Sequence, residues 1–127
     1  MTRGSSQMLY RTFAEYIADR IPSGLSGSKG GIRMKISGIV CEYNPFHNGH
    51  AYHIAKTREN GATHIVAVMS GNFVQRGDAA VLGKLTRAQI AVASGADLVL
   101  ELPTLWAMST AERFARGGVE VLTRTGV

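Results

Sequence analysis

The sequence of 127 residues lacks the features that mark several large classes of protein. Cys41 is the single cysteine, so no disulfide forms within the chain and nothing indicates an oxidising compartment. No run approaches the roughly 18 consecutive apolar residues that a membrane-spanning helix needs. Extensive disorder is not expected either, because 45% of the residues are apolar. These absences predict a soluble, globular, cytoplasmic protein with no membrane partner.

A strong excess of charge is also missing from most of the chain, although the net charge is +5. Five of the fourteen basic side chains, but only two of the nine acidic ones, lie in residues 1–33. Residues 34–127 are therefore only mildly basic. Charge alone does not indicate a nucleic-acid partner.

Residues 1–33 differ in character from the rest. Leu9, Phe13 and Ile17 recur with helical spacing and predict a short amphipathic helix. Residues 22–31, rich in Gly and Ser, predict a flexible linker. Met34 stands directly before the first predicted strand and resembles a natural start of translation. We interpret residues 1–33 as an amino-terminal extension, either native or added upstream, and residues 34–127 as the folded domain.

Strand-like and helix-like patterns alternate from residue 34 onward. Apolar runs rich in Ile and Val predict buried strands at 36–43, 63–69 and 97–102. Helices are predicted to begin around His47 or His50, at a capping box starting with Thr86, and at a second capping box starting with Ser109. The pair Gly117-Gly118 is expected to bend or weaken the last helix.

Continuous apolar strands that alternate with helices indicate parallel βαβ units with helices on both faces of the sheet. The predicted fold class is therefore α/β, a doubly wound, Rossmann-like parallel sheet of about three βα units. In such sheets ligands bind beyond the carboxyl ends of the strands. The loops at 43–50, 70–83 and 101–109 are the predicted site.

The first of these loops carries His47-Asn48-Gly49-His50 at the start of a helix. Backbone N–H groups at a helix amino terminus favour phosphate, and Gly49 allows close approach. Both histidines can donate hydrogen bonds to phosphate oxygens, and positive charge on them would stabilise a transferring phosphoryl group. Each histidine alone is more typical of a helix cap or a core residue than of a phosphate-binding group. A metal site with His53 is not predicted, because a spacing of three spreads the rings around the helix.

His47-Asn48-Gly49-His50 resembles the His-x-Gly-His signature of the nucleotidyltransferase superfamily. A wider similarity is carried by the segments 38–50, 67–77 and 97–103. Together these segments resemble the bacterial tRNA-Met cytidine acetate ligase family. The resemblance covers about residues 34–127.

This resemblance implies that ATP and acetate form acetyl-adenylate and that a wobble cytidine of elongator tRNA-Met is then acetylated. His47 and His50 would be the catalytic residues, and Mg²⁺ would be bound mainly through the nucleotide. The implied ATP-binding segment comprises Val40, Cys41, Glu42, Tyr43, Asn44, Pro45, Phe46, His47, Asn48, Gly49, His50, Ala51, Tyr52 and His53.

Further candidates lie at the other strand ends. Substrate contacts are assigned to Asn72, Gln75, Arg76 and Glu101, with a plain surface loop and a turn-capping carboxylate as the competing interpretations. Lys84 and Arg87 are weighed as phosphate-facing charges against a solvated helix face. Cys41 is expected to be a small core residue.

The superfamily's second signature, on a later loop, has no counterpart before Val127. We therefore expect these residues to be an amino-terminal part that binds ATP weakly and forms little acetyl-adenylate alone. Two other functions stay open: another nucleotidyltransferase acting on a small molecule, and a nucleotide-binding module without catalysis.

Overall fold

The structure, a computed structural model, describes residues 34–127. Three parallel strands, β1 (Ile36–Cys41), β2 (His64–Ser70) and β3 (Leu98–Leu102), form a sheet in the order β1-β2-β3. The helices are α1 (Asn48–Glu59), α2 (Lys84–Ala93), α3 (Thr104–Ala107) and α4 (Ala111–Arg124). The amphipathic helix and linker predicted for residues 1–33 lie outside the described residues. Within residues 34–127, no helix combines the length and apolar content that a bilayer span requires.

β2 occupies the centre of the sheet, and its residues from Ile65 to Ser70 are all buried. A continuous run of small and β-branched apolar residues suits a strand that is covered on both faces. In the parallel register Cys41 lies beside Met69, and Ser70 lies beside Leu102. The carboxyl ends of all three strands therefore meet at one edge of the sheet.

The two faces of the sheet carry separate cores, as alternation along a strand requires. Ile65, Ala67 and Met69 point to the face covered by α1 and α2. Val66 and Val68 point to the opposite face, which α3 and α4 cover. Helices on both faces of a parallel sheet confirm the predicted doubly wound α/β class.

Both predicted capping boxes are wrong in position. α2 begins at Lys84, and the N–H of this residue donates to Asn72 Oδ1 at 3.1 Å. Thr86 therefore lies inside the helix and is not its N-cap. α4 is capped by Thr110, whose hydroxyl accepts from the Arg113 N–H. The Ser109 hydroxyl instead donates to the Trp106 carbonyl at 2.6 Å and closes the preceding turn.

The expected weakness at Gly117-Gly118 is also wrong, since α4 runs unbroken through both residues. Both glycines are buried where the helix crosses the sheet. A Cβ on Gly117 would lie 2.6 Å from the Trp106 ring, and one on Gly118 would collide with the Val40 side chain of β1. The pair allows close helix–sheet packing rather than a bend.

Candidate functional site

A cavity of about 450 Å³ opens at the carboxyl end of β1. It lies where the predicted ligand edge of the sheet meets the amino end of α1. Its walls are formed by Ile39, Val40, Cys41, Glu42, Tyr43, Asn44, Pro45, His47, His50, His53, Gln75 and Phe114. Most of the predicted ATP-binding segment is thus brought together. The members of that segment that do not line the cavity are Phe46, Asn48, Gly49, Ala51 and Tyr52.

The two histidines build the amino terminus of α1. His47 is the N-cap residue, and its Nδ1 accepts a hydrogen bond from the Gly49 N–H at 3.1 Å. His50 Nδ1 accepts from the His47 N–H at 3.2 Å, which completes a reciprocal capping box. The rings stack at 3.7 Å between centroids. A Cβ on Gly49 would lie 2.9 Å from His47 Cε1, so only glycine lets this ring fold over the turn.

These hydrogen bonds decide which ring nitrogen carries the proton when each ring is neutral. Each Nδ1 uses its lone pair as an acceptor, so in the neutral ring the proton is on Nε2. Burial lowers the pKa of His50, and the neighbouring His47 and His53 lower it further. In this geometry each ring, when neutral, offers an Nε2–H donor, and the lowered pKa of His50 favours the neutral form of that ring over the positively charged form expected from the sequence.

Three aromatic rings hold the turn in place. Tyr43 is buried, and its ring centroid lies 4.8 Å from that of Phe46 and 4.9 Å from that of His50, both in edge-to-face geometry. Its backbone is left-handed, with φ of 49°. A non-glycine residue held in this region marks a locally strained segment of the kind found at functional sites. Phe46 thus supports the site by packing against His50 without lining the cavity.

Cys41 is partly buried and packs against the core, as expected from the sequence, and it also lines the cavity. Its thiol donates to the Val68 carbonyl of β2 at 3.5 Å. Burial raises the pKa of the thiol to about 12. A thiol that stays protonated is not a nucleophile at neutral pH.

The loop of residues 71–83, called here the 71–83 loop, is tied to the histidine turn by two acceptors from the end of β1. The Glu42 carboxylate accepts from the Gln75 N–H at 2.8 Å. Asn44 Oδ1 accepts from the Val81 N–H at 2.7 Å. The Glu42 carboxylate thus holds the backbone of the 71–83 loop, and Gln75 lies in the cavity wall.

The other candidate substrate residues lie outside the cavity wall. Asn72 Oδ1 serves the start of α2, and the Glu101 carboxylate pairs with Lys84 Nζ at 2.7 Å on an exposed surface. Arg76 is exposed, has a left-handed φ of 69°, and makes no hydrogen bond or ion pair within residues 34–127. Lys84 therefore faces a carboxylate, and Arg76 remains a free cation of the 71–83 loop among the described residues.

One candidate residue differs from the sequence interpretation, and one residue of the cavity wall is not among the candidates. Arg87 does not face solvent or a phosphate site, because it is completely buried. Phe114 lines the cavity as well as packing in the core beneath α4. No sequence pattern indicates that Phe114 lines the cavity. The residue comes close to β1 only through the packing of α4 on the sheet.

No group of three or more His, Cys, Asp or Glu side chains within residues 34–127 is arranged to hold a metal ion. The nearby carboxylates of Glu42 and Glu101 are already engaged by a backbone N–H and by Lys84.

The lowered pKa of His50 makes the stability of the domain depend on pH. The unfolded chain takes up a proton on this ring near pH 6.5, whereas the folded state takes it up only at lower pH. The contribution of His50 to the free energy of unfolding is thus fully present above about pH 6.5 and is lost as the pH falls through the folded-state pKa. We expect wild type to lose more stability between pH 7.5 and 5.5 than His50→Gln, measured by urea denaturation. Equal losses would contradict the assignment.

Residues 34–127 match the family model described as HIGH nucleotidyl transferase. A tRNA(Met) cytidine acetate ligase of Alkaliphilus metalliredigens is 54% identical over 95 residues, covering 74% of this chain and 22% of the relative. One of Leuconostoc citreum is 55% identical over 95 residues, covering 74% of this chain and 24% of the relative. These matches confirm the resemblance that the sequence motifs indicate.

Two solved structures of a related protein also match this chain. The crystal structure of Thermotoga maritima TmcAL bound with alpha-thio ATP matches with a TM-score of 0.71 and 55% sequence identity, over 74% of this chain and 23% of that chain. A crystal structure of apo TmcAL from the same organism also has a TM-score of 0.71. This chain spans about a quarter of the length of these relatives.

Proposed function

Because the chain belongs to the HIGH nucleotidyl transferase family, we propose that it is the ATP-binding part of a tRNA-Met cytidine acetate ligase. In this proposal the cavity at the end of β1 receives the nucleotide. The observation that carries it is the pair of histidines whose Nδ1 atoms are occupied by backbone N–H groups, leaving two Nε2–H donors beside a helix amino terminus. This is a surface suited to phosphate oxygens.

The proposed reaction joins acetate to the α-phosphorus of ATP. A carboxylate oxygen of acetate forms the new O–P bond, the bond from the α-phosphorus to the bridging oxygen breaks, and pyrophosphate leaves. The Nε2–H donors of His47 and His50 stabilise the negative charge that grows on the phosphate oxygens. The acetyl group then passes from acetyl-adenylate to the wobble cytidine of elongator tRNA-Met, and AMP is released.

The names of the relatives and the bound nucleotide analogue support this assignment. The two relatives are named tRNA(Met) cytidine acetate ligases, and the Thermotoga maritima structure holds alpha-thio ATP. At over 50% identity, a phosphate-binding turn at the same point of the fold is expected to serve the same nucleotide. Mg²⁺ would be held mainly by the triphosphate, since the described carboxylates near the cavity are engaged.

The 71–83 loop is proposed to carry the second substrate. Gln75 lines the cavity, and the neighbouring Arg76 provides a guanidinium that has no partner within residues 34–127 and lies on a left-handed backbone. A planar guanidinium suits the carboxylate of acetate or a phosphate of the nucleotide. Asn72 and Glu101 are assigned to support rather than to contact, since Asn72 caps α2 and Glu101 holds Lys84.

Two measurements test the proposal. Calorimetric titration of this chain with alpha-thio ATP is expected to show saturable binding at one site, and a titration without heat at millimolar nucleotide would overturn it. In the full-length protein, exchange of label between pyrophosphate and ATP is expected to require acetate. Exchange that responds equally to acetate and to bulkier acids, or to none, would point instead to a nucleotidyltransferase with another acceptor.

A further inference from the structure

Arg87, in the first turn of α2, is a fully buried cation whose hydrogen bonds go to backbone carbonyls. Its Nε donates to the Leu82 carbonyl at 2.9 Å. Its Nη1 donates to the carbonyls of Glu42 at 2.7 Å and Ser70 at 3.1 Å, and its Nη2 donates to that of Gly71. Among residues 34–127, no carboxylate lies within ion-pair distance of it. Burial of a charged group without hydrogen bonds has a large free-energy cost, so these hydrogen bonds stabilise the guanidinium in the interior.

The accepting carbonyls belong to three segments that are distant in sequence. Glu42 directly follows β1, Ser70 ends β2 and Gly71 follows it, and Leu82 lies near the end of the 71–83 loop before α2. The planar guanidinium fixes the directions of all these bonds at once. One side chain therefore sets the relative placement of two strand ends and a loop.

The same two strand ends carry the groups of the nucleotide site. Tyr43 and the histidine turn follow Glu42 directly, and the 71–83 loop begins at Gly71. Arg87 reaches the backbone of Glu42, while the carboxylate of Glu42 holds Gln75 in the cavity wall. The guanidinium thus lies beneath the junction between the turn and the loop and does not line the cavity.

We propose that Arg87 is a positioning residue that locks the histidine turn and the 71–83 loop into one rigid unit, so that both meet a single bound nucleotide. This inference rests on the proposed function for its nucleotide. Arg87 acts through its neighbours and touches no reacting atom.

Arg58 provides a matched control. It is a partly buried arginine that donates to the carbonyls of Thr63 and Gly95 and to the carboxylate of Asp97. Those groups lie at the amino ends of β2 and β3, which is the edge of the sheet opposite the cavity. Arg58 therefore joins segments in the same way as Arg87 but away from the nucleotide site.

The first test uses the ligand-free chain, so that it does not depend on ATP binding. Arg87→Lys keeps a cation and three donors but loses the planar fork. In nuclear magnetic resonance spectra it is expected to shift the amide signals of both segments 44–50 and 72–77 and the imidazole signals of the two histidines. Arg58→Lys is expected to shift only signals near residues 63 and 95–97. Unchanged signals in both segments for Arg87→Lys would overturn the proposal.

The second test compares ATP affinity by calorimetry at a temperature at which both variants are folded. Arg87→Lys is expected to weaken ATP binding about tenfold, because groups displaced from a preorganised geometry bind the nucleotide less well. Arg58→Lys is expected to weaken ATP binding less than about twofold. Equal affinities in the two variants would contradict positioning by Arg87. If both Arg87→Lys and Arg87→Gln fail to fold, Arg87 serves stability alone and the proposal is wrong. Absence of ATP binding in wild type would overturn the proposed function, while the ligand-free spectra would still decide the role of Arg87.

Discussion

His50→Gln is expected to lower acetate-dependent exchange between pyrophosphate and ATP roughly 100- to 1000-fold in the full-length protein, with little change in stability. Loss of one preorganised donor to a developing oxyanion typically has an effect of this size. Glutamine at this helical position can still accept the hydrogen bond from the His47 N–H, so the capping box is retained. The substitution therefore separates the Nε2–H donor of the ring from its role as a cap.

Two further variants make the result specific. His50→Ala removes the cap as well and is expected to cost about 1 kcal/mol of stability in addition to the same loss of exchange. His64→Gln alters a histidine at the amino end of β2, on the far edge of the sheet, and is expected to leave exchange within about twofold of wild type. Full exchange in His50→Gln, or an equal loss in His64→Gln, would refute the assigned role.

Gly118→Ala is expected to lower the free energy of unfolding by about 2 kcal/mol and the melting temperature by about 10 °C. The new methyl group would collide with Val40, whose β-branched side chain has little freedom to move aside. Alanine gains about 1 kcal/mol over glycine in a helix, but this offsets only part of the cost of overpacking. Thermal unfolding followed by circular dichroism measures the difference.

Gly83→Ala is the matched control for this substitution. A Cβ at Gly83 meets nothing within 4 Å, and its φ of −56° is accessible to alanine. The change is therefore expected to stay within about 0.5 kcal/mol of wild type. Equal melting temperatures for the two variants would show that α4 can move away from β1 without cost.

The architecture follows from the sequence because its signals are local. Ile- and Val-rich runs predict β1, β2 and β3 to within two residues, and the helix after the histidine turn begins at Asn48, one residue after the predicted start at His47. The first strand ends at Cys41 rather than Tyr43, because the left-handed backbone of Tyr43 leaves the strand there. Periodicity does not record such single-residue conformations.

Other parts of the site depend on contacts between distant segments and cannot be predicted locally. Arg87 looks like a surface charge at a helix start until β1, β2 and the 71–83 loop are placed around it. Thr86 and Ser109 match capping patterns, but neither is the N-cap. Asn72, from the 71–83 loop, accepts from the first N–H of α2, and the Ser109 hydroxyl donates to the Trp106 carbonyl of the preceding turn. A capping motif shows which groups are available, whereas the tertiary fold selects the one that is used.

The hydrogen bonds to Nδ1 of His47 and His50 have a consequence for the way the two rings would meet a ligand. With each Nδ1 accepting a backbone N–H and each proton already on Nε2, both rings are ready to donate before any ligand arrives. Donation to a phosphate oxygen would therefore require no exchange of tautomer at either ring, and neither ring would have to break its hydrogen bond to the backbone when a nucleotide arrives.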